Sequence, residues 1–402
     1  MPKKSGFDKT ATPVTQLTLI IGVTTLCRLV LNTARRFAYP FAPALSRGLG
    51  VPLTAITSLI AVNQATSILG VFFGPLADRL GYRLMMQTGM ALLVVGMFAG
   101  GFLPFYGVIL VALFLAGLGK SMFDPALQAY VGERVPFHRR GLVIGFLEFS
   151  WAGSTLLGIP AIALLIDRLG WRAPFFAMGG CGLLGILAIR ILIEKGVQKY
   201  PPKHSVLLFK DAWRLLLRER AARGALLFSF LVSMANDNLF VVYGAWLEKR
   251  FSLSIVALGL GTAVIGIAEL IGESMTATLA DRLGLKRSLL GGLAICLICY
   301  AILPYLGQTL GMSLFGLFLI FLAFEFMIVT SLSIFTELLP LARATMMASS
   351  LAAAGIGRVV GTLIGGPIWL AGGIYATSLV SAILSGLALV ALFWGLHGWK
   401  KP

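Results

Sequence analysis

The chain has 402 residues, of which 58% are hydrophobic and only 12% charged, and its mean hydropathy is +0.91. A water-soluble domain clothes its core with charged residues making up about a quarter of the chain, so a soluble globular protein is excluded. The net charge of +17 would point to nucleic acid in a soluble protein. In a chain this apolar it points to membrane topology, and no nucleic-acid partner is expected.

The first stretch, 1–18, is polar and basic, and the apolar segment after it lacks an Ala-x-Ala cleavage pattern, so no cleavable signal is expected. Twelve stretches of membrane length follow: 17–39, 53–77, 84–103, 106–131, 141–166 and 172–193, then 224–247, 255–279, 287–306, 310–336, 344–370 and 374–396. Each is apolar on most faces, as a helix must be when lipid offers its backbone no hydrogen bonds. Glycines recur at small-x-x-x-small spacing, as in Gly357, Gly361 and Gly365, and predict closely approaching helices. The long polar connection 194–223 carries Pro201-Pro202 and then a segment with Phe209, Trp213 and Leu216 on one helical face and Lys210, Arg214 and Arg218 on another. That pattern predicts a helix lying on the membrane surface.

Basic residues alternate in number from loop to loop. One side holds 22 Lys and Arg, the other five (Arg47, Arg168, Arg172, Lys249 and Arg250), and six more lie in or near helices. The positive-inside rule places both termini in the cytoplasm, which requires an even number of spans.

Motifs for other chemistries do not hold up. Gly119-Lys120-Ser121 resembles the end of a phosphate-binding loop, but Phe114 stands where its first glycine belongs, and the context is a membrane helix. Gly355-x-Gly357 follows three alanines within a helix, not a strand. Cys27, Cys181, Cys296 and Cys299 all fall in apolar stretches and read as small apolar filler. His138, His204 and His397 sit in loops or at a helix end. No cofactor, metal or enzymatic site is expected.

Two phrases repeat. Ala77-Asp78-Arg79-Leu80-Gly81 recurs 203 residues later as Ala280-Asp281-Arg282-Leu283-Gly284, and Glu133, Pro136 and Arg139 are echoed by Glu337, Pro340 and Arg343. Two halves rich in membrane-length helices are the mark of a transporter built from parallel repeats. Gly74 to Arg83 is similar to the cytoplasmic loop signature G-x-x-x-D-R-x-G-R-R of the major facilitator superfamily, with Tyr82 where a basic residue is common. A weaker copy ends at Arg287. The chain thus resembles that superfamily over nearly its whole length. The resemblance implies an all-α membrane protein of twelve transmembrane helices in two pseudo-symmetric six-helix bundles. The corresponding boundaries are 1–193 for the first bundle, 194–223 for the linker and 224–402 for the second.

The repeated loop has a physical role. Gly81 permits a tight turn, Asp78 can sit at the positive end of a neighbouring helix, which the resemblance implies is the eleventh, starting near Thr345, and Arg79 and Arg83 can pair with acids such as Glu133. With Arg139, Asp281, Arg282, Glu337 and Arg343, these residues form the expected cytoplasmic gate.

An ionisable group in the bilayer core is expensive and marks function. Counting from span ends places Arg28, Lys120, Asp237, Glu269, Glu325 and Arg358 near the midplane, Asp124 and Glu273 one turn toward the cytoplasm, and Glu148 in the inner third of span five. Three cations thus face six acids. Lys120 and Asp124 are four residues apart and can pair, and Arg28 and Arg358 can each neutralise one more acid. The remaining carboxylates would take up a proton. Proton-coupling candidates are Asp237 and Glu325 first, then Asp124, Glu269 and Glu273. A substrate cavity is expected from Arg28, Tyr39, Asn63, Gln64, Lys120, Phe123, Asn236, Asn238, Tyr243, Phe324 and Arg358. Pro125 is expected to loosen its helix beside Asp124.

The resemblance implies a secondary transporter in a prokaryotic inner membrane, working as a monomer on protons and a small-molecule substrate within the lipid bilayer. Proton-coupled export of an amphipathic or cationic compound is expected first. Uptake of a metabolite or of an organic anion held by Arg28 and Lys120, and transport of a lipid-like molecule, stand as alternatives. Span five reads Gly153 to Pro160 with an inserted Ile159, without the final glycine pair of the exporters' motif, and Ala112 or Leu113 stands where exporters carry an early arginine in span four.

A topology assay checks the charge asymmetry. A fluorescent protein fused after Pro402 should fluoresce and alkaline phosphatase fused there should stay inactive; the reverse pair of readings would invert the orientation.

Overall fold

The computed structural model describes residues 14–135, 137–193, 209–339 and 343–398. The described residues are largely helical across the predicted spans, with turns at 37–39 and 241–242, and the helices order as follows. The first half contains α1 (Val14–Arg36), the short α2 (Ala42–Leu49), α3 (Leu53–Leu80), α4 (Tyr82–Phe102), α5 (Tyr106–Arg134), α6 (Phe137–Gly153), α7 (Ile159–Leu169) and α8 (Ala173–Leu192). The linker carries α9 (Phe209–Arg218). The second half contains α10 (Arg220–Phe240), α11 (Tyr243–Phe251), α12 (Ile255–Met275), α13 (Asp281–Leu283), α14 (Leu285–Leu306), α15 (Leu310–Leu338) and α16 (Arg343–Leu396).

Eleven described segments are long and apolar enough to cross a membrane. The last of them, Met346–Leu396, is two spans in one. Gly372 (φ −149°, ψ 15°) and Gly373 (φ 58°, ψ −149°) leave helical geometry in its middle, and Gly373 adopts a left-handed conformation that favours glycine. Twelve crossings therefore return the chain to the side on which it began, called here the terminus side. The two halves form two six-helix bundles. The linker boundaries fall partly at 194–208, outside the described residues, and α10 begins at Arg220, ahead of the expected 224. Leu216 of α9 is fully buried, whereas the side chains of Phe209, Lys210 and Trp213 lie outside the described residues.

Local breaks have local causes. Pro160 has no N–H to offer, and the turn before it widens into a π-helix, Ser154–Gly158, in which the Ile159 N–H bonds back to the Ser154 carbonyl. Pro125, by contrast, sits inside an uninterrupted α5. The repeated loop turns on glycine in both halves: Gly81 has φ 92° and Gly284 has φ 85°. A side chain would strain the backbone at that φ, so the repeat keeps the residue that lets one span reverse directly into the next.

The glycine stripe packs as its spacing predicts. Gly357, Gly361 and Gly365 of α16 sit against the backbones of Phe230, Met234 and Asn238 of α10. Three successive turns of one helix thus meet three of the other at backbone distance, with the Val241 side chain also against Gly365. Opposite the kink, the C-terminal carbonyls of α16 are capped by side chains: Lys286 Nζ donates to Leu396 at 2.7 Å and Arg220 donates to His397.

Because a Cβ on Gly361 would meet the Met234 backbone, Gly361→Leu should destabilise the second bundle by about 1–3 kcal/mol or more. Gly291→Leu, at a site with nothing within 4 Å, should leave thermal unfolding in detergent unchanged. Equal melting of both variants would remove the glycine stripe from the packing argument.

Candidate functional site

Most charged residues of the spans converge on the surface where the bundles meet, and most of these are paired. On the first bundle, Asp124 of α5 accepts from Lys120 one turn earlier and from Arg28 Nε of α1 at 3.2 Å. Arg28 also reaches Glu148 of α6 at 3.0 Å and the Leu147 carbonyl at 2.9 Å. The sequence-predicted pair of Lys120 and Asp124 is present. Arg28 neutralises a further acid as expected, so two cations and two acids form one balanced cluster.

Two cations absent from the midplane count alter the balance. Arg35 and Arg36, at the end of α1, are buried, which makes five cations against six acids where the sequence count had three against six. Span ends read from hydropathy put these arginines near the edge of span one. The chain instead continues inward through Phe37, Tyr39 and Phe41, all buried, so the arginines stay within the protein. Arg36 forms an ion pair with Glu269 of α12 at 2.5 Å, with 4% and 3% of the two side chains exposed. Its guanidinium lies 4.3 Å from the Trp151 ring centroid and 5.5 Å from that of Phe240. Thr155, turned by the π-helix, donates to Glu269 at 3.2 Å. Glu269 is therefore a bridged acid.

A second connection crosses between the bundles. Arg35 Nε donates to Gln64 Oε1 at 3.1 Å, Gln64 Nε2 donates to the Tyr39 hydroxyl at 2.7 Å, and that hydroxyl donates to Asp237 Oδ1 of α10 at 2.6 Å. Asp237 is not the lone carboxylate that its sequence position suggested. Tyr39, which also packs on Phe240 at a centroid distance of 4.4 Å, supplies its donor.

Two acids and one cation stand apart. Glu325 of α15 is 9% exposed, and among the described residues it makes no hydrogen bond or ion pair. Its charged neighbours are Glu269, Glu273, Arg36 and Arg358. Glu273 of α12 is half-buried and likewise has no such partner among the described residues. Arg358 of α16 was expected to neutralise an acid, and among the described residues it forms no ion pair. Among the described residues Arg35 donates to the neutral amide of Gln64 and forms no ion pair.

Several expected cavity residues serve packing within one bundle. Asn63 Nδ2 ties α3 to the Leu113 carbonyl of α5 at 2.6 Å, and Phe123 is fully buried against Gly89. Asn238 donates to the Thr377 carbonyl and to Ser381, both at 3.0 Å. Tyr243 stacks on Phe240 and bonds Thr262 at 3.0 Å. Asn236 and Phe324 are buried, and Tyr300 reaches Asn236 Oδ1 at 3.5 Å. A short polar or aromatic side chain on a helix pairs with whatever neighbour burial gives it, and sequence alone does not name that neighbour.

The space between the bundles is closed on one side. Away from the termini, Gly244 abuts the backbone of Pro40, Gly259 abuts Ile159, Pro160 and Ala163, Gly266 abuts Ala152 and Leu156, and Gly366 abuts Thr57. Arg47 and Glu248 pair beyond them. Toward the termini the described acids become more accessible: the side chain of Asp124 is 20% exposed and that of Glu148 is 39% exposed.

The expected gate is partly described. Gly81 has its turn, Glu133 and Arg282 are exposed, and neither Arg83 nor Glu133 forms an ion pair among the described residues. Glu337 is half-buried and engaged. The side chains of Asp78, Arg79, Arg139, Asp281 and Arg343 lie outside the described residues.

The comparisons agree with this architecture. A sequence profile of the Major Facilitator Superfamily matches residues 24–340 and again 225–401. The uncharacterized MFS-type transporter YceJ of Bacillus subtilis is 26% identical over 295 residues, 73% of this chain and 74% of that one. The quinolone resistance protein NorA of Staphylococcus aureus is 25% identical over 240 residues, 57% of this chain and 60% of that one. A crystal structure of a bacterial homolog of the human lysosomal transporter Spinster, inward-facing and unoccupied, superposes with TM-score 0.77 at 14% identity, over 98% of this chain and 100% of that one.

The bridge across the bundles can be tested by a double-mutant cycle. Arg36→Met leaves Glu269 buried without its countercharge and should cost about 3–5 kcal/mol of thermal stability. Glu269→Leu added to Arg36→Met should recover most of the loss. Strict additivity of the two changes would mean that the ion pair carries no coupling.

Proposed function

The chain belongs to the major facilitator superfamily, and on that premise we propose that it is a secondary transporter that exports a small amphipathic or cationic organic compound in exchange for protons, by alternating access. The observation that carries this reading is Glu325, buried on the second bundle without a partner among the described residues, with Glu269 and Glu273 as acidic neighbours. A carboxylate without a countercharge at that depth is stable only when it holds a proton or a positively charged guest. Glu273 and Glu148 lie between it and the terminus side, so a cation entering from there meets three acids in succession. Asp124 and Glu269 are held by built-in cations, and Asp237 is held by Tyr39. These three are assigned to the fixed framework, and the coupling proton is assigned to Glu325 and Glu273.

The charge asymmetry of the loops supports a cytoplasmic terminus side in a prokaryotic inner membrane, with the protein working as a monomer. On that orientation the closed side faces outward. Protonation from outside would then require parting Arg36 from Glu269 and Tyr39 from Asp237, and the repeated loops with Asp78, Arg79, Asp281 and Arg282 would clasp the bundles on the cytoplasmic side. NorA, a named resistance protein, adds weight to export of an organic compound. A second reading, proton-driven uptake of an organic anion, draws on the buried Arg35 and the half-buried Arg358, which form no ion pair among the described residues. It no longer draws on Arg28 and Lys120, which Asp124 and Glu148 occupy.

Proteoliposomes with an imposed pH gradient separate the two. For a panel of organic cations, flux should run against the proton movement; flux along with protons, and only for anions, would establish uptake. Glu325→Gln should drop pH-driven flux to background while leaving detergent melting unchanged. Undiminished coupled flux in that variant would exclude Glu325 as the proton site.

A further inference from the structure

We propose that the groove between α4 and α8, at the terminus side of the first bundle, binds the anionic phosphate headgroup of a phospholipid from the adjoining leaflet. The groove has a volume of about 430 Å³ and is lined by Arg83, Gln87, Thr88 and Ala91 of α4 and by Ile186 and Arg190 of α8. Residues 83, 87 and 91 share one face of α4, and 186 and 190 share one face of α8, so the lining is set by helical spacing. Both helices contribute their donors at the terminus-side end, and Ala91 and Ile186 lie about one to two turns deeper. Beyond these, Val95, Leu183 and Leu187 are each at least half exposed. The groove is therefore polar where a headgroup would sit and apolar where an acyl chain would run.

Neither α4 nor α8 contains an Asp or Glu, and among the described residues no ion pair engages Arg83 or Arg190. Two guanidiniums with a neighbouring amide match the fork geometry of a phosphate ester, while the Thr88 hydroxyl already donates to the Leu84 carbonyl at 2.9 Å. The first turn of α4, where Arg83 lies, adds the positive end of the helix. Two positive charges favour a headgroup with net negative charge over a zwitterionic one.

The repeat supplies a control within the molecule. Position 286 corresponds to Arg83 at the 203-residue offset, and there Lys286 is taken up by the Leu396 carbonyl. The positions matching Gln87 and Thr88 are Leu290 and Gly291. Both bundles carry basic terminus-side loops, but at the matching positions of the second the cation is engaged by a carbonyl and leucine replaces the amide. The lining is thus more than a by-product of topology.

Native mass spectrometry of the delipidated full chain tests the site with three probes: phosphatidylglycerol, phosphatidylcholine and inorganic phosphate. Phosphatidylglycerol should be retained to higher collision energy than phosphatidylcholine, and it should raise the melting temperature in detergent. Arg190→Gln should weaken phosphatidylglycerol binding about tenfold, the scale of one charge-assisted hydrogen bond. Arg190→Lys should retain part of it, and Gln87→Leu gives an independent loss if Arg190→Gln fails to purify. Equal retention of the two lipids, or unchanged phosphatidylglycerol binding in both Arg190→Gln and Gln87→Leu, would overturn the proposal. Protection by inorganic phosphate equal to that by phosphatidylglycerol would overturn the lipid assignment.

Discussion

Arg36 and Glu269 meet across the two bundles with almost nothing of either side chain exposed. Each would be costly alone at that depth, so each holds the other in place, and the helices that carry them are held with them. Arg36 lies on α1 and Glu269 on α12, so the ion pair joins the two halves, alongside the close backbone contacts between them. Trp151, Phe240 and Thr155 surround the pair and complete its shell. The chain of Arg35, Gln64, Tyr39 and Asp237 makes the same crossing beside it with hydrogen bonds.

That requirement for a countercharge divides the buried charges into two groups. Arg28, Lys120, Asp124 and Glu148 balance within the first bundle, and Arg36 and Glu269 balance between bundles. Glu325 and Glu273 have acids for close neighbours, and among the described residues Arg358 and Arg35 form no ion pair. A satisfied network stays in one arrangement because each departure exposes a charge. An unsatisfied group is where a proton or a guest gains binding energy. The two groups adjoin, since Glu325 has both Glu269 and Arg36 among its charged neighbours.

Backbone features set how closely the halves approach. The glycine stripe of α16 brings α10 to backbone contact, which fixes Asn238 and Asp237 in depth. Gly244, Gly259, Gly266 and Gly366 perform the same service between bundles on the side away from the termini. The π-helix before Pro160 rotates Thr155 onto Glu269. These contacts depend on the absence of a side chain or of an N–H, so they can separate without leaving buried polar groups behind.

The twelve spans, the repeat and the tight turns at Gly81 and Gly284 could be read from the chain, because hydrocarbon dictates length and composition locally and because a left-handed turn calls for glycine. The i,i+4 pair of Lys120 and Asp124 and the stripe of Gly357, Gly361 and Gly365 were legible for the same reason: helical spacing decides them. Tertiary structure alone decided that Arg35 and Arg36 point into the protein, that Tyr39 meets Asp237 and that Arg36 meets Glu269. Those partners are 198 and 233 residues apart, and no local rule links them. Depth in the membrane is a property of one helix, whereas a countercharge is a property of two, and so the sequence could rank the charged residues but only the packed bundles could pair them.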